Sequence, residues 1–323
     1  MGSTQFVRVT TALLYGLASF FIVLINKTVL TTYQFPSFQI LGLGQLTATI
    51  VILGIGKSLR IVNYPELSTD IFRKIWPLPL FYIGNMVYGL AGTQYLSLPM
   101  LTVLRRASIL FTMIAEYFVL GVKAPKAVEL SVYLMIFGAA VAAANDLSFH
   151  LLGYIYITIN NLSTAANGVY MKKKLDSKDL GKYGLMYYNS LFMFVPMLLM
   201  TWQSGDIAAI AEFKGWLDIN FVAMFGLSCI FGFILNYSIL LCTHYNSTLT
   251  TAVVGCLKNI IITYLGTIFS ADYTFSWINF IGLNISIFGS LVYTKVTLLA
   301  PQDKSKLPTT EVRTRVAPST TTV

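Results

Sequence analysis

Charge is scarce in this chain: only 11% of its 323 residues are Asp, Glu, Lys or Arg, while 56% are hydrophobic. A soluble domain carries roughly 25% charged residues, so a water-soluble globule is excluded and an all-α integral membrane protein is expected. Histidine is scarcer still. His150 and His244 are the whole complement, each at the end of an apolar run without ligand-like neighbours. The three cysteines, Cys229, Cys242 and Cys256, sit inside apolar runs and form no CxxC pair, which excludes a disulfide framework or a zinc ribbon. A P-loop, an HExxH pair and a Ser-His-Asp arrangement are also missing, so hydrolase, metalloprotease and NTPase chemistry lack their residues. No enzyme activity, cofactor or metal is expected. The first apolar run has only Arg8 before it and no small-residue cleavage site, so no cleavable signal peptide is expected either.

What the chain has instead is length without charge. Ten apolar runs of roughly 20 residues each can span ~30 Å of hydrocarbon as helices. They cover about 9–31, 36–57, 75–96, 99–121, 127–146, 150–171, 183–203, 219–243, 247–269 and 275–298. Short links with turn residues separate them, such as Phe35-Pro36-Ser37 and Ala124-Pro125. After Ala300 the sequence turns to Pro, Thr and charge, and the tail 299–323 is expected to be disordered.

The loops divide the basic residues sharply. Assigned alternately to two sides, one side holds 17 of the 22 Lys and Arg, including Arg8, Lys57, Arg60, the Lys172-Lys173-Lys174 run and Lys182. The other side holds Lys214 alone, against Asp146, Asp206, Glu212, Asp218 and Asp272. The positive-inside rule then puts both termini in the cytosol. It also accounts for a pI near 9.3 without nucleic acid as a partner. The bilayer is the expected surrounding.

Four basic residues remain inside the runs, Lys27, Arg105, Arg106 and Lys258, and Glu116 is the acid that shares their environment. A lysine at the depth of Lys258 costs roughly 2.5–3.5 kcal/mol on an insertion scale. Glu116 is about 16 Å along the helix from Arg105 at 1.5 Å per residue, too far to pair with it. A buried cation surplus calls for water or a substrate anion, and Arg forks with a Lys point charge suit phosphate. Thr251, Gly255 and Lys258 are spaced to share one helix face, expected to look into a wet cavity. Arg105 and Arg106 hold the matching position in the first half. Odd numbers of spans per half, 8–146 and 150–298, predict two inverted five-helix repeats closing on a midplane site.

Other polar groups have two readings. Tyr187-Tyr188-Asn189-Ser190 offers two rings and an amide to a nucleobase, or an interfacial aromatic belt. Tyr15, Ser19 and Asn26 form one stripe and Asn236, Gly232 and Cys229 another; each lines a cavity or glues helices together. For Asn160, Thr164 and Asn167 packing is the favoured reading. Gly282, Ser286 and Gly289 form a small-residue face that serves either internal packing or a homodimer.

These residues resemble the nucleotide-sugar transporters of the Golgi and endoplasmic reticulum, within the drug/metabolite transporter superfamily. The likeness runs over 8–298 and is carried by Ile25-Asn26-Lys27, Leu98-Pro99-Met100 through Arg105-Arg106, Gly181-Lys182-Tyr183-Gly184-Leu185, Cys242-Thr243-His244-Tyr245-Asn246-Ser247 and Gly255-Cys256-Leu257-Lys258-Asn259. The UDP-sugar branch is the nearest in pattern. The resemblance implies ten helices in inverted repeats and antiport of a cytosolic UDP-sugar (UDP-GlcNAc, UDP-GlcA or UDP-GalNAc) for lumenal UMP in a Golgi or ER membrane. It implies that Tyr188, Asn189, Ser190, Asn236 and Tyr15 hold the nucleoside. Gly255, Lys258, Asn259, Arg105, Arg106 and Lys27 would hold phosphate and sugar. Related GDP-mannose transporters carry Phe-Tyr-Asn-Asn and Gly-Ala-Leu-Asn-Lys motifs. Here Ser190 replaces the last Asn of the first, and Lys258-Asn259 inverts the end of the second, which favours uridine over guanine. The alternatives are a GDP-sugar, sugar-phosphate or organic-phosphate translocator, and a proton-coupled exporter working through Glu116.

Overall fold

A backbone in hydrocarbon must satisfy its own hydrogen bonds, and a lone segment does so only as a helix. Every apolar run is helical over its described part. The structure, a computed structural model, describes residues 2–95, 104–143, 151–257 and 277–299, and no strand occurs among them. In chain order the helices are α1 (Gly2–Lys27), α2 (Phe38–Ser58), α3 (Thr69–Ile75), α4 (Leu78–Tyr95), α5 (Ala107–Ala115) and α6 (Lys126–Ala143). Then come α7 (Leu151–Ser177), α8 (Gly181–Gln203), α9 (Asp206–Ala211), α10 (Ile219–Tyr245), α11 (Thr248–Leu257) and α12 (Trp277–Thr294). Two short helices, α3 and α9, were not expected from the sequence. Neither is long enough to leave a periodic signal, and α3 is set by Ile71 and Ile75, both buried. The tail from residue 300 lies outside the described residues.

Local chemistry fixes the helix ends. Ser37 caps α2, its Oγ accepting from the Ile40 N–H at 3.1 Å while donating to Asp206 at 2.5 Å. Asp218 caps α10 by accepting from the Asn220 N–H at 2.9 Å. After α5 the chain widens into a π turn, Glu116–Leu120, that ends at Gly121 with φ +69°. That left-handed value favours glycine.

Five helical stretches among the described residues are long and apolar enough to cross a bilayer: Gln5–Leu30, Phe38–Ser58, Gly181–Gln203, Ile219–Tyr245 and Phe280–Thr297. Their outer faces carry exposed Leu13, Leu17, Val51, Ile55, Val195, Leu199, Phe288 and Leu291, a perimeter that only lipid can accommodate. The protein is a multi-pass membrane protein. α1 packs on α10, α2 on α8 and α10, α4 on α7, α5 on α7, and α6 on α12.

The α6–α12 seam is the tightest in the molecule. A Cβ placed on Gly138 would sit 2.6 Å from the Gly282 carbonyl oxygen, and one on Gly282 would sit 2.6 Å from the Gly138 carbonyl oxygen. A Cβ on Gly289 would be 2.9 Å from the Met135 nitrogen. The face of Gly282, Ser286 and Gly289 is therefore used internally, against α6. Small residues let two backbones approach where lipid offers no hydrophobic drive for association.

Candidate functional site

α1 and α11 meet at one point that joins two of the sequence-selected positions. Tyr15 projects from α1 into a cluster with Ala12 and Cys242. Its hydroxyl would lie 2.9 Å from a Cβ on Gly255, so glycine is needed here for the phenol to fit. One turn back, Thr251 is 8% exposed and its hydroxyl lies 3.1 Å from that of Thr243. This corrects the expectation of a wet face: Thr251 and Gly255 pack against α10 and α1. Lys258 and Asn259, which continue the motif, lie outside the described residues.

The arginines sit at the start of α5, where the Asn161 Nδ2 donates to the Leu104 carbonyl at 2.8 Å. Arg106 is buried, at 3% exposed. Arg105 is exposed and reaches toward α4, its Nη2 3.7 Å from a Cβ on Gly89. The same Gly89 faces Asn160, whose Nδ2 donates to Asn85 at 2.5 Å (carbonyl) and 2.6 Å (Oδ1). The Thr164 hydroxyl donates to the same Asn85 Oδ1 at 3.0 Å. Asn160 and Thr164 thus pack, as their stripe suggested. Asn85 is the partner that sequence reading missed, because a lone amide on an apolar helix carries no periodic signal.

On α8 three adjacent residues have different fates. Tyr188 is 1% exposed, and its hydroxyl donates to the Pro65 carbonyl at 2.6 Å. The link between α2 and α3 folds over it: Tyr64 stacks on Tyr187 at 4.8 Å and meets Tyr188 edge-on at 6.0 Å. Burial, with Tyr187 and Tyr188 alongside, pushes the Tyr64 phenol up to about 12, so it stays protonated. The reading of Tyr188 as an open stacking platform is corrected on this geometry: both the ring and the hydroxyl are engaged. Ser190 is buried at 4% exposed. Asn189 differs, because its Oδ1 is buried without a hydrogen-bond partner. An unclaimed amide acceptor on a half-buried side chain is ready for a donor from a ligand.

The remaining positions divide by depth. Gln45, another residue missed from sequence, donates to Asn26 at 3.1 Å and Ser228 at 3.0 Å, and Ser228 donates to Asn26 at 2.6 Å. Asn26 is therefore glue between α1, α2 and α10. A Cβ on Gly232 would be 2.6 Å from Gln45, which puts this part of the α10 stripe into packing as well. Asn236, one turn further, is partly exposed, and Lys27 is exposed at the end of α1. No cluster of His, Cys, Asp or Glu among the described residues could hold a metal.

Glu116 has a partner that sequence spacing could not supply. It is 6% exposed, and its Oε1 accepts from the Leu249 N–H at 2.9 Å. In the first turn of α11 Glu116 thus takes one N–H, beside Ser247, whose Oγ accepts from the Thr250 N–H at 3.0 Å.

A family model described as Triose-phosphate Transporter family matches residues 7–294. The chain belongs to the triose-phosphate transporter family. Like its relatives, this member of the triose-phosphate transporter family is a transporter and not an enzyme. It is 56% identical to the UDP-sugar transporter UST74c of Drosophila melanogaster, over 94% of this chain and 82% of that one. It is 54% identical to the UDP-sugar transporter sqv-7 of Caenorhabditis elegans, over 91% and 90%. With the human nucleotide sugar transporter SLC35D2 it shares 48% identity over 90% and 86%. A solved crystal structure overlays on 88% of this chain and 99% of its own at TM-score 0.62 and 15% identity, a likeness of fold.

Proposed function

We propose that this protein carries UDP-sugars across a Golgi or ER membrane in exchange for UMP, by alternating access between two inverted repeats. The observation that carries the substrate class is identity above 50% with two UDP-sugar transporters over more than nine-tenths of the chain. The positive charge of Arg105, Arg106, Lys27 and Lys258 suits a dianionic or trianionic ligand.

Support for the repeat comes from the helix pairings. Exchanging the halves swaps α1 with α7, α2 with α8, α4 with α10, α5 with α11 and α6 with α12. Under that exchange α1–α10 becomes α7–α4, and both pairs are packed. α2–α8 and α6–α12 map onto themselves. α5–α7 becomes α11–α1, the Tyr15–Gly255 approach.

In this reading the diphosphate lies between Lys258 and the two arginines, with Gly255 seating Tyr15 against α11 and Asn259 and Lys27 toward the sugar. Asn189 offers its free acceptor to the uracil N–H, with Asn236 and Tyr15 alongside. Tyr188 and Ser190 hold the α8 turn in place. The basic loops face the cytosol. Uptake of labelled UMP into proteoliposomes loaded with UMP, GMP, inorganic phosphate or buffer tests the reading. Dependence on internal UMP and competition by UDP-sugars but not GDP-sugars is expected, and Lys258→Ala should lower exchange at least tenfold. Equal exchange against inorganic phosphate would favour the second reading suggested by the family description, an organic-phosphate translocator.

A further inference from the structure

We infer that Glu116 is a positioning residue that latches α5 to α11, holding the site shut toward the cytosol, and that this latch must open in every transport cycle. The inference rests on the alternating-access reading above.

The first observation is the bond itself. Glu116 begins the π turn at the end of α5, in the first half of the chain, and its Oε1 takes the Leu249 N–H at 2.9 Å. The first N–H groups of a helix have no intrahelical partner, and an acid there is favoured by the helix dipole. Usually the cap comes from the residue just before the helix. Here Ser247 supplies that cap, its Oγ accepting from the Thr250 N–H at 3.0 Å, and Glu116, 133 residues away, takes the Leu249 N–H that Ser247 leaves over.

The second observation is what lies beneath. Ile109 and Met113 of α5 share a buried cluster with Leu249 and Val253 of α11. Val253 is 1% exposed and lies one turn deeper than the capped N–H. These are full-sized side chains, with no glycine drawing the backbones together. The seam is closed by side chains, and no glycine of either helix faces it.

The third observation is a ring of polar bonds between the halves at the same end. Arg8 on α1 donates through Nη2 to the Thr297 carbonyl at 3.0 Å and through Nε to the Asn246 Oδ1 at 3.3 Å. Asn246, in the link between α10 and α11, donates to the Arg8 carbonyl at 3.2 Å and to the Thr11 hydroxyl at 3.1 Å. All are directional bonds that water can replace once the seam opens. For a UDP-sugar to enter from the cytosol between α5 and α11, the Glu116–Leu249 bond has to break first. Closing the seam again restores that bond at the head of the helix that carries Gly255.

The test needs no substrate. Val253→Cys is placed in a chain whose own three cysteines are replaced by serine, and a membrane-impermeant maleimide is added from the cytosolic side. Glu116→Ala should raise the labelling rate about tenfold. Glu116→Gln keeps an acceptor oxygen and should stay within about threefold of the parent. Unchanged labelling in Glu116→Ala overturns the latch, whatever happens to transport. A second arm uses Met113→Cys with Val253→Cys, leaving Glu116 intact. Crosslinking the pair should stop UMP exchange, and reductant should restore it. A fully crosslinked protein that still exchanges overturns the inference. A protein that labels as expected but exchanges no UDP-sugar leaves the latch standing and rejects the substrate assignment instead.

Discussion

Among the seams that join the halves of this molecule, two are built from opposite materials. α6 and α12 meet through glycine, with each carbonyl oxygen 2.6 Å from where the other's Cβ would be. α5 and α11 meet through Ile109, Met113, Leu249 and Val253, with the Glu116 side chain on the first residues of α11, Thr248 and Leu249. A glycine seam gains from close, shape-specific packing that weakens steeply with separation. A seam of flexible side chains, one of them a methionine, tolerates rearrangement, and a bond to a charged group can be exchanged for water. The difference teaches where motion is to be sought: on the proposed alternating-access reading, α6–α12 would be the axis and α5–α11 the mouth.

The largest effect should come from the axis. Gly282→Leu forces a side chain into the α6 backbone, and overpacking of a tight core costs about 1–3 kcal/mol or more. With backbone as the obstacle, the upper end or outright loss of folded protein is expected. Thermal unfolding of the purified protein checks it. Gly54→Leu is the control, because nothing lies within 4 Å of its Cβ position. Equal loss in both variants would erase the distinction between the seams.

The next effect belongs to the mouth. Asn246→Ala removes two donated bonds and the acceptor of Arg8. Interhelical bonds in membranes average about 0.6 kcal/mol and reach about 1.7, so the closed state should weaken by about 1–2 kcal/mol. Maleimide labelling at Val253→Cys should then rise about fivefold to thirtyfold while the melting temperature stays near the parent. A large fall in melting temperature without faster labelling would make Asn246 a folding residue and place the ring outside the moving parts.

A smaller effect is expected from a seam of intermediate character. α4 and α7 are joined by Asn85, which serves both Asn160 and Thr164. Asn85→Ala should cost about 1 kcal/mol, since leaving Asn160 unsatisfied is penalised but the amide can find other partners in the bundle. Urea or thermal unfolding measures it. No loss at all would mean that Asn160 re-pairs, for instance toward Arg105 across Gly89.

Much of this was legible in the residues. Helix positions followed from long apolar runs, whereas Gly255, expected on a wet face, lies against Tyr15 of α1. The packing of Asn160 and Thr164 followed from their spacing. What escaped had one cause: partners distant in sequence. Glu116 was visible as a buried acid, but nothing local named Leu249. Gln45 and Asn85 are single amides without a pattern. Tyr188 was read with its neighbour Asn189 as one recognition unit, yet adjacent residues on a helix point about 100° apart. One found Pro65, while the other kept an unclaimed acceptor.

That divergence supplies the smallest predicted effect. Tyr188→Phe keeps the buried ring and removes only the hydroxyl that donates to Pro65. A buried neutral hydrogen bond contributes about 1 kcal/mol net, so unfolding should shift by that amount and UMP exchange should keep its KM within twofold. Asn189→Ala should do the reverse, leaving stability almost unchanged and raising the apparent KM for UMP and UDP-sugar alike by about tenfold. If Tyr188→Phe instead raises KM as strongly as Asn189→Ala, the hydroxyl must leave Pro65 during the cycle to meet the nucleoside. The link over α8 would then be a second moving part, opening beside the α5–α11 mouth.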